Sequence, residues 1–310
     1  MSFSSALNPN VVKTALDDVF YQEVNGDKQP NIATAETAAI FKQDTASSSA
    51  VIMELFGGSG AWELTAEEQD LPLGAPRISN QKTFSVVKYA KSVDIPKEFF
   101  DDNKHGSYEK MIRNFARRAM TTKNKNAFAV YRGAFAVTTT SDAAYLCSDT
   151  HTNLNGDTVD NLITAALTEE SLNTAIIALG EQKAQDGEID GHMPSCLLVP
   201  MALYKKAVEI TESKLRSDTS DNDKNVYSDK YGISVYTSPY LGAAAGGSDT
   251  AWFLLSDTHS VTRWVREAVN TNLVNYDISR NDVYTYKGRF REVVGAMSYE
   301  GLIGSTGLTA

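Results

Sequence analysis

The residues that could do chemistry lie in one short run, Tyr145-Leu146-Cys147-Ser148-Asp149-Thr150-His151. A thiol, a carboxylate and an imidazole are the parts of a cysteine-dependent hydrolase. Cys147 and His151 are four residues apart, a spacing that a helix would bring onto one face. The neighbouring residues argue against a helix. Ser148, Asp149, Thr150, Asn153 and Asn155-Gly156 are turn formers whose side chains bond nearby backbone. On that reading Asp149 and Thr150 cap a turn around His151, and the run is scaffold. Both readings stand at this point, reactive site and structural turn.

Other chemistry finds little support. Cys196 is the only second cysteine, so neither a disulfide framework nor a thiolate metal site can be built. His105, His192 and His259 are scattered singly and lack the His-Glu-x-x-His spacing of a zinc site. Gly57-Gly58-Ser59-Gly60 lacks the Gly-x-Ser-x-Gly of a nucleophile elbow and the Lys-Ser/Thr of a phosphate loop. It reads as a hinge. No carboxylate pair stands out. The expectation is no catalytic, cofactor-binding or metal residue.

Positioning elements surround this run. Residues 145–206 read as loop, helix from about Thr168, buried strand Leu197-Leu198-Val199-Pro200, and a second helix to about Thr211. Before them, Asn8-Pro9 opens an amphipathic helix carrying Val11, Val12, Ala15, Leu16, Val19 and Phe20, ended by Asn25-Gly26. Its apolar stripe is expected to pack on its own core or on another subunit. A long hairpin follows, with an outgoing strand from Val51, a Pro/Gly tip at 71–76 and a return from Thr83 to Ile95. An isolated hairpin is marginal in water, so this one is expected to lie against a partner. Ser107 to Arg132 reads as one helix roughly 40 Å long, stopped by Gly133. Lys110, Arg113, Arg117, Arg118, Lys123 and Lys125 form a basic stripe on its outer face. A polar loop at 216–229 is expected to be mobile. Strands at 231–237, 251–255, 283–290 and 292–302 complete the chain, and Gly304-Ser305-Thr306-Gly307 reads as a frayed end.

Composition bounds the function. With 310 residues, 42% hydrophobic and 22% charged, the chain is an ordinary folded protein with one large core or two modest ones. No apolar run approaches the ~20 residues that span a bilayer, and the N-terminus lacks a secretory pattern. Folding in a cytoplasm and no membrane partner are expected. A net charge of −10 argues against a dedicated nucleic-acid binder.

In order and spacing, several motifs resemble the major capsid (head) proteins of tailed bacteriophages, most closely the Mu-like head subunits. They are Asp149-Thr150-His151-x-Asn153, Asn161, Ala165-Ala166-Leu167 before Ser171-Leu172, Gln182-Lys183 and Asp186-Gly187. Leu197-Leu198-Val199-Pro200 with Leu203 and Ala207, Trp252-Phe253-Leu254-Leu255-x-Asp257 and Gly304-Ser305-Thr306-Gly307 continue the series. The resemblance runs from about Lys42 to the C-terminus. It implies an α+β capsid fold with an N-terminal arm over 1–45 and an extended hairpin loop over 46–98. A peripheral domain with a long spine helix would comprise 99–139 and 281–310, and an axial domain 140–280.

The resemblance also implies hexamers and pentamers tiling an icosahedral head around double-stranded DNA, which is enclosed without sequence-specific binding. The expected location is the virion, after assembly in the host cytoplasm. Nothing before Asn8 is long enough for a cleaved scaffolding segment, so a separate scaffolding protein is expected, with a portal and decoration proteins as further partners. Inter-subunit contacts are expected from Val12, Leu16, Phe20, Trp62, Leu71, Leu73, Phe84 and Tyr89. Lys82, Lys88 and Lys91 lie on the hairpin, but nothing singles one out for cross-linking. The alternatives are an encapsulin-like nanocompartment shell and the soluble cysteine-dependent hydrolase.

Overall fold

The computed structural model describes residues 9–26, 32–58, 60–62, 64–65, 69–70, 73, 78–96, 105–213, 227, 231–274 and 283–308, without the side chains of 9–12, 78–79 and 105–106. In chain order its elements are α1 (Pro9–Val24), β1 (Lys42–Thr45), β2 (Ala50–Phe56), β3 (Ile78–Ser85), β4 (Val87–Pro96), α2 (His105–Ala127) and α3 (Ala129–Arg132). There follow β5 (His151–Thr152), β6 (Thr158–Val159), β7 (Leu162–Ile163), α4 (Glu169–Gly180), β8 (Pro194–Pro200) and α5 (Tyr204–Thr211). The chain ends with β9 (Ser234–Ser238), β10 (Trp252–Ser256), β11 (Val261–Val274), β12 (Val283–Ala296) and β13 (Leu302–Ser305).

Two sheets carry the mixed α+β architecture. The first is four-stranded in the order β1-β11-β12-β4, with β1 parallel to β11 and the other pairs antiparallel. The second is five-stranded in the order β7-β13-β10-β8-β9. Its central strands β8 and β10 are unbroken apolar runs because both faces are covered. Alternate residues serve opposite cores: Cys196, Leu198, Phe253 and Leu255 face the arm and α3. Leu197, Val199, Trp252 and Leu254 face α4 and α5. A capping box starts α4: Ser171 N donates to Thr168 Oγ1 at 3.1 Å and Thr168 N to Ser171 Oγ at 2.8 Å.

The segment expected as a frayed end is the interior of this second sheet. β13 pairs with both β10 and β7, and Gly304 lets Cys147 approach, since a Cβ there would lie 2.3 Å from its Sγ. The strand therefore sits in the five-stranded sheet, whereas β12, from the same expected 281–310 segment, sits in the four-stranded one. β11, placed by sequence in the axial segment, belongs to the four-stranded sheet.

The spine helix is shorter than expected at 23 residues, about 35 Å. A one-residue turn at Phe128 separates it from α3, although Phe128 N still donates to Asn124 O at 2.9 Å. Together the two helices span both layers. Ile112, Phe115 and Ala116 pack on the first sheet, while Phe128 and Tyr131 enter the core of the second.

Candidate assembly surfaces

In the run that opened the chemical question, the thiol and the imidazole are closed to solvent. Cys147 is 1% exposed, sits within the core shared by Phe135 and Leu302, and burial pushes its thiol far above the ordinary range. Burial pushes Cys196 up likewise. Asp149 points into solvent. His151 is fully buried, its ring 4.7 Å from Tyr299, and its Nδ1 lies 2.8 Å from Asp142 Oδ2. Burial would raise the Asp142 carboxyl. Hydrogen bonds from His151, Thr140 and the Thr152 amide outweigh that effect and hold it down at about 2. The histidine's partner is thus Asp142, which the sequence reading passed over, and together they clamp the loop. A protonated, core-embedded thiol is a poor nucleophile.

The polar residues of the resemblance act in the same way, as backbone ties. Asn161 donates to Leu146 O at 2.9 Å and accepts from Ser148 N at 2.8 Å. Asn153 Oδ1 accepts from the amides of Asn155 and Asp157. Gln182 Oε1 accepts from Gly301 N at 2.8 Å.

The arm serves this chain's own core. Leu16 and Phe20 were expected to meet a neighbour. They are instead 1% and 0% exposed against Ile112, Phe115 and Tyr286 of the same subunit. Val12 lies in α1, but its side chain is outside the described residues. Further along, Ala33, Ala35, Ile40 and Phe41 are buried, and Tyr131 Oη donates to Ile40 O at 2.7 Å. The basic stripe of α2 is partly consumed here as well. Glu23 of α1 takes Arg117 at 2.5 Å and Arg113 at 3.6 Å. Lys123, read as outward, is 6% exposed and pairs with Glu36 at 2.7 Å.

The hairpin differs from the arm. Its return splits at Val86: β3 pairs with β2, while β4 leaves to pair with β12. At its base Phe84 is buried, stacked on Trp264 at 4.6 Å, so this expected contact residue is an internal anchor. Val51, Met53 and Leu55 pack on the same cluster. The Lys82 ammonium is tied to the carbonyls of Thr139 and Ala296. Tyr89 on β4 is half-buried and stacked on Phe290 at 5.0 Å. Beyond the base the apolar side chains are bare: Trp62 is 99% exposed, Leu64 103% and Leu73 94%. Ile52 and Phe56, on the opposite face of β2 from the anchor, are also exposed. Leu71 lies outside the described residues. The sequence reading missed Ile52, Phe56 and Leu64, although the alternation in Val51–Phe56 implied that one face would lack cover.

A subunit whose buried clusters are closed and whose hairpin leaves large apolar side chains bare beyond its base has the form of a protein that builds shells. The chain belongs to the phage capsid protein family, whose sequence profile matches residues 80–304. Solved structures agree in fold. The capsid of the cyanophage P-SCSP1u is 14% identical, covers 90% of each chain and superposes with a TM-score of 0.56. A chain of Microbacterium phage Oxtober96 is 13% identical over 91% of this chain and 94% of that one, at 0.54. A virus-like particle from Pyrococcus furiosus is 11% identical over 94% of this chain and 98% of that one, at 0.53. No curated protein sequence matches. The protein is a capsid shell protein of the virion.

Proposed function

We propose that this chain is the major head subunit, which self-assembles into hexamers and pentamers tiling an icosahedral shell around double-stranded DNA. The bare hairpin carries the reading. Trp62, Leu64 and Leu73 stand almost wholly in solvent on a chain whose other large apolar clusters are closed. A set of this kind marks an interaction site. The subunit acts by assembly and not by catalysis, and its two cysteines are core residues. A separate scaffolding protein, a portal and decoration proteins complete the head, which assembles in the host cytoplasm. DNA is enclosed without sequence readout, in keeping with a net charge of −10.

Electron microscopy of the purified protein tests this directly, with closed shells or capsomers as the expected result. Nuclease-treated particles should retain DNA; protein cargo instead would mark a nanocompartment, a reading that the phage capsid family match disfavours. Replacing Cys147 and His151 together by Ala should leave no hydrolytic activity to lose. A measurable activity abolished by that change would overturn the structural reading.

A further inference from the structure

Where the arm meets the four-stranded sheet there is a cavity of about 410 Å³. Its charged lining comes from segments distant in sequence: Glu36 of the arm, Asp44 of β1, Lys123 of α2, Arg263 and Glu267 of β11, and Glu292 of β12. Four carboxylates thus face two cations, and both cations are already engaged. Lys123 holds Glu36 at 2.7 Å, and Arg263 holds Glu292 at 2.6 Å. Glu267 reaches Arg289 at 2.7 Å. Asp44, on an exposed strand, has no ion-pair partner among the described residues.

The surplus of negative charge has a focus. A guanidinium often meets a carboxylate through two parallel bonds, one to each oxygen. Here Nε and Nη2 of Arg263 both donate to Glu292 Oε2, while Nη1 donates to Ala35 O. Glu292 Oε1 is left with no donor, although the residue is only 3% exposed. A buried carboxylate oxygen without a donor costs free energy, which a hydrogen-bonding cation would recover. The rest of the wall is partly apolar, from Val265, Val269 and Phe290.

We propose that this cavity binds a small aliphatic polyamine. One ammonium donates to Glu292 Oε1, the methylene chain lies along Val265, Val269 and Phe290, and a further ammonium reaches the Asp44 carboxylate. The inference goes beyond the shell-forming reading and does not depend on it. A bare metal ion is a poor fit, because no group of three His, Cys, Asp or Glu side chains able to hold one occurs among the described residues. An ammonium brings its own N–H donors and asks only for acceptors. Anions are repelled by the surplus carboxylates. The volume suits a small organic molecule. Bound there, the polyamine ties the arm and β1 to β12 and stabilises the folded subunit by mass action.

The test is calorimetric titration of the unassembled full chain with spermidine in about 0.15 M salt. Mg²⁺ and quaternised, fully N-methylated spermidine serve as controls, since both carry charge and lack N–H donors. Spermidine should bind one to one, and neither control should match it. Arg263→Met with Glu292→Leu leaves the net charge unchanged and should weaken spermidine at least about tenfold, the worth of a charged hydrogen bond. Asp44→Asn should weaken it about two- to fivefold. Asp149→Asn, an equal loss of charge on an exposed loop, should leave it unmoved. If circular dichroism shows the double variant unfolded, the comparison of Asp44→Asn with Asp149→Asn decides alone. Controls that bind as well as spermidine, or equal weakening by those two single changes, would mark loose counter-ion attraction to an acidic chain and overturn the site. So would wild-type affinity in the folded double variant. No binding by the wild-type chain would overturn it as well and leave water as the donor to Glu292 Oε1.

Discussion

Replacing Glu292 by Gln keeps the side chain's shape and removes its charge, at a site where burial makes the charge matter. The side chains of Arg263 and Glu292 are 4% and 3% exposed. Arg263 Nε and Nη2 both donate to Glu292 Oε2, at 3.0 and 2.6 Å, and Nη1 donates to Ala35 O at 3.1 Å. In the variant the guanidinium stays at the same depth with no counter-charge. Breaking one side of a buried pair costs about 3–5 kcal/mol. The native pair is itself imperfect, because Glu292 Oε1 has no partner among the described residues. Replacing both members, Arg263→Met with Glu292→Leu, removes both desolvation penalties, and such exchanges run from neutral to about 4 kcal/mol stabilising. Against that, Ala35 O loses its donor, worth about 1 kcal/mol. The double variant should therefore lie within about 2 kcal/mol of wild type or above it, well clear of the single. Urea unfolding of the unassembled subunit, followed by circular dichroism and tryptophan fluorescence, reads both through the midpoint at constant slope. A single variant as stable as wild type, or a double variant as damaged as the single, would refute the argument.

Further outcomes follow from the same geometry. Leu16→Ala and Phe20→Ala should destabilise the unassembled subunit by about 2–5 kcal/mol each in the same urea assay, whereas residues reserved for a neighbour would leave the midpoint unmoved. Gly295→Ala would put a Cβ 2.3 Å from the Phe84 ring. It should cost about 1–3 kcal/mol and speed proteolysis of the hairpin as the Trp264 anchor loosens. His259 has its pKa lowered to about 4, by burial first and Lys42 second. The unfolded chain, near 6.5, binds the proton more readily, so stability is full above pH 6.5 and falls as pH drops toward 4, by at most about 3 kcal/mol. His259→Asn should flatten that window, leaving the Asp142 contribution to be lost only below pH 3.8, toward 2; an unchanged slope would remove His259 as its source.

Where the sequence could be read and where it could not divides along a physical line. Leu197–Pro200 and Trp252–Leu255 were legible as buried strands because an apolar run that short has few other homes. The spine helix was legible from its period, and the hairpin from the Gly57–Gly60 hinge and the Pro/Gly tip. Periodicity says which face of an element is buried and is silent about what buries it. The stripe of α1 was plain, but its cover, Phe115 and Tyr286, comes from segments distant in sequence, so own core and neighbour looked alike. The returning strand's apolar alternation changes phase between Val86 and Val87, where its two halves part to different sheets, but nothing local names β12 as the partner of the second half. His151 was misjudged in its partner for the same reason, since Asp142 reaches it through a loop with no period. Gly304-Ser305 shows the cost of reading composition alone: the glycine that suggested a loose end is the one residue there small enough to lie against Cys147. The hairpin tip was then the place where local reading sufficed, because apolar side chains with no cover of their own state a need for a partner without naming it.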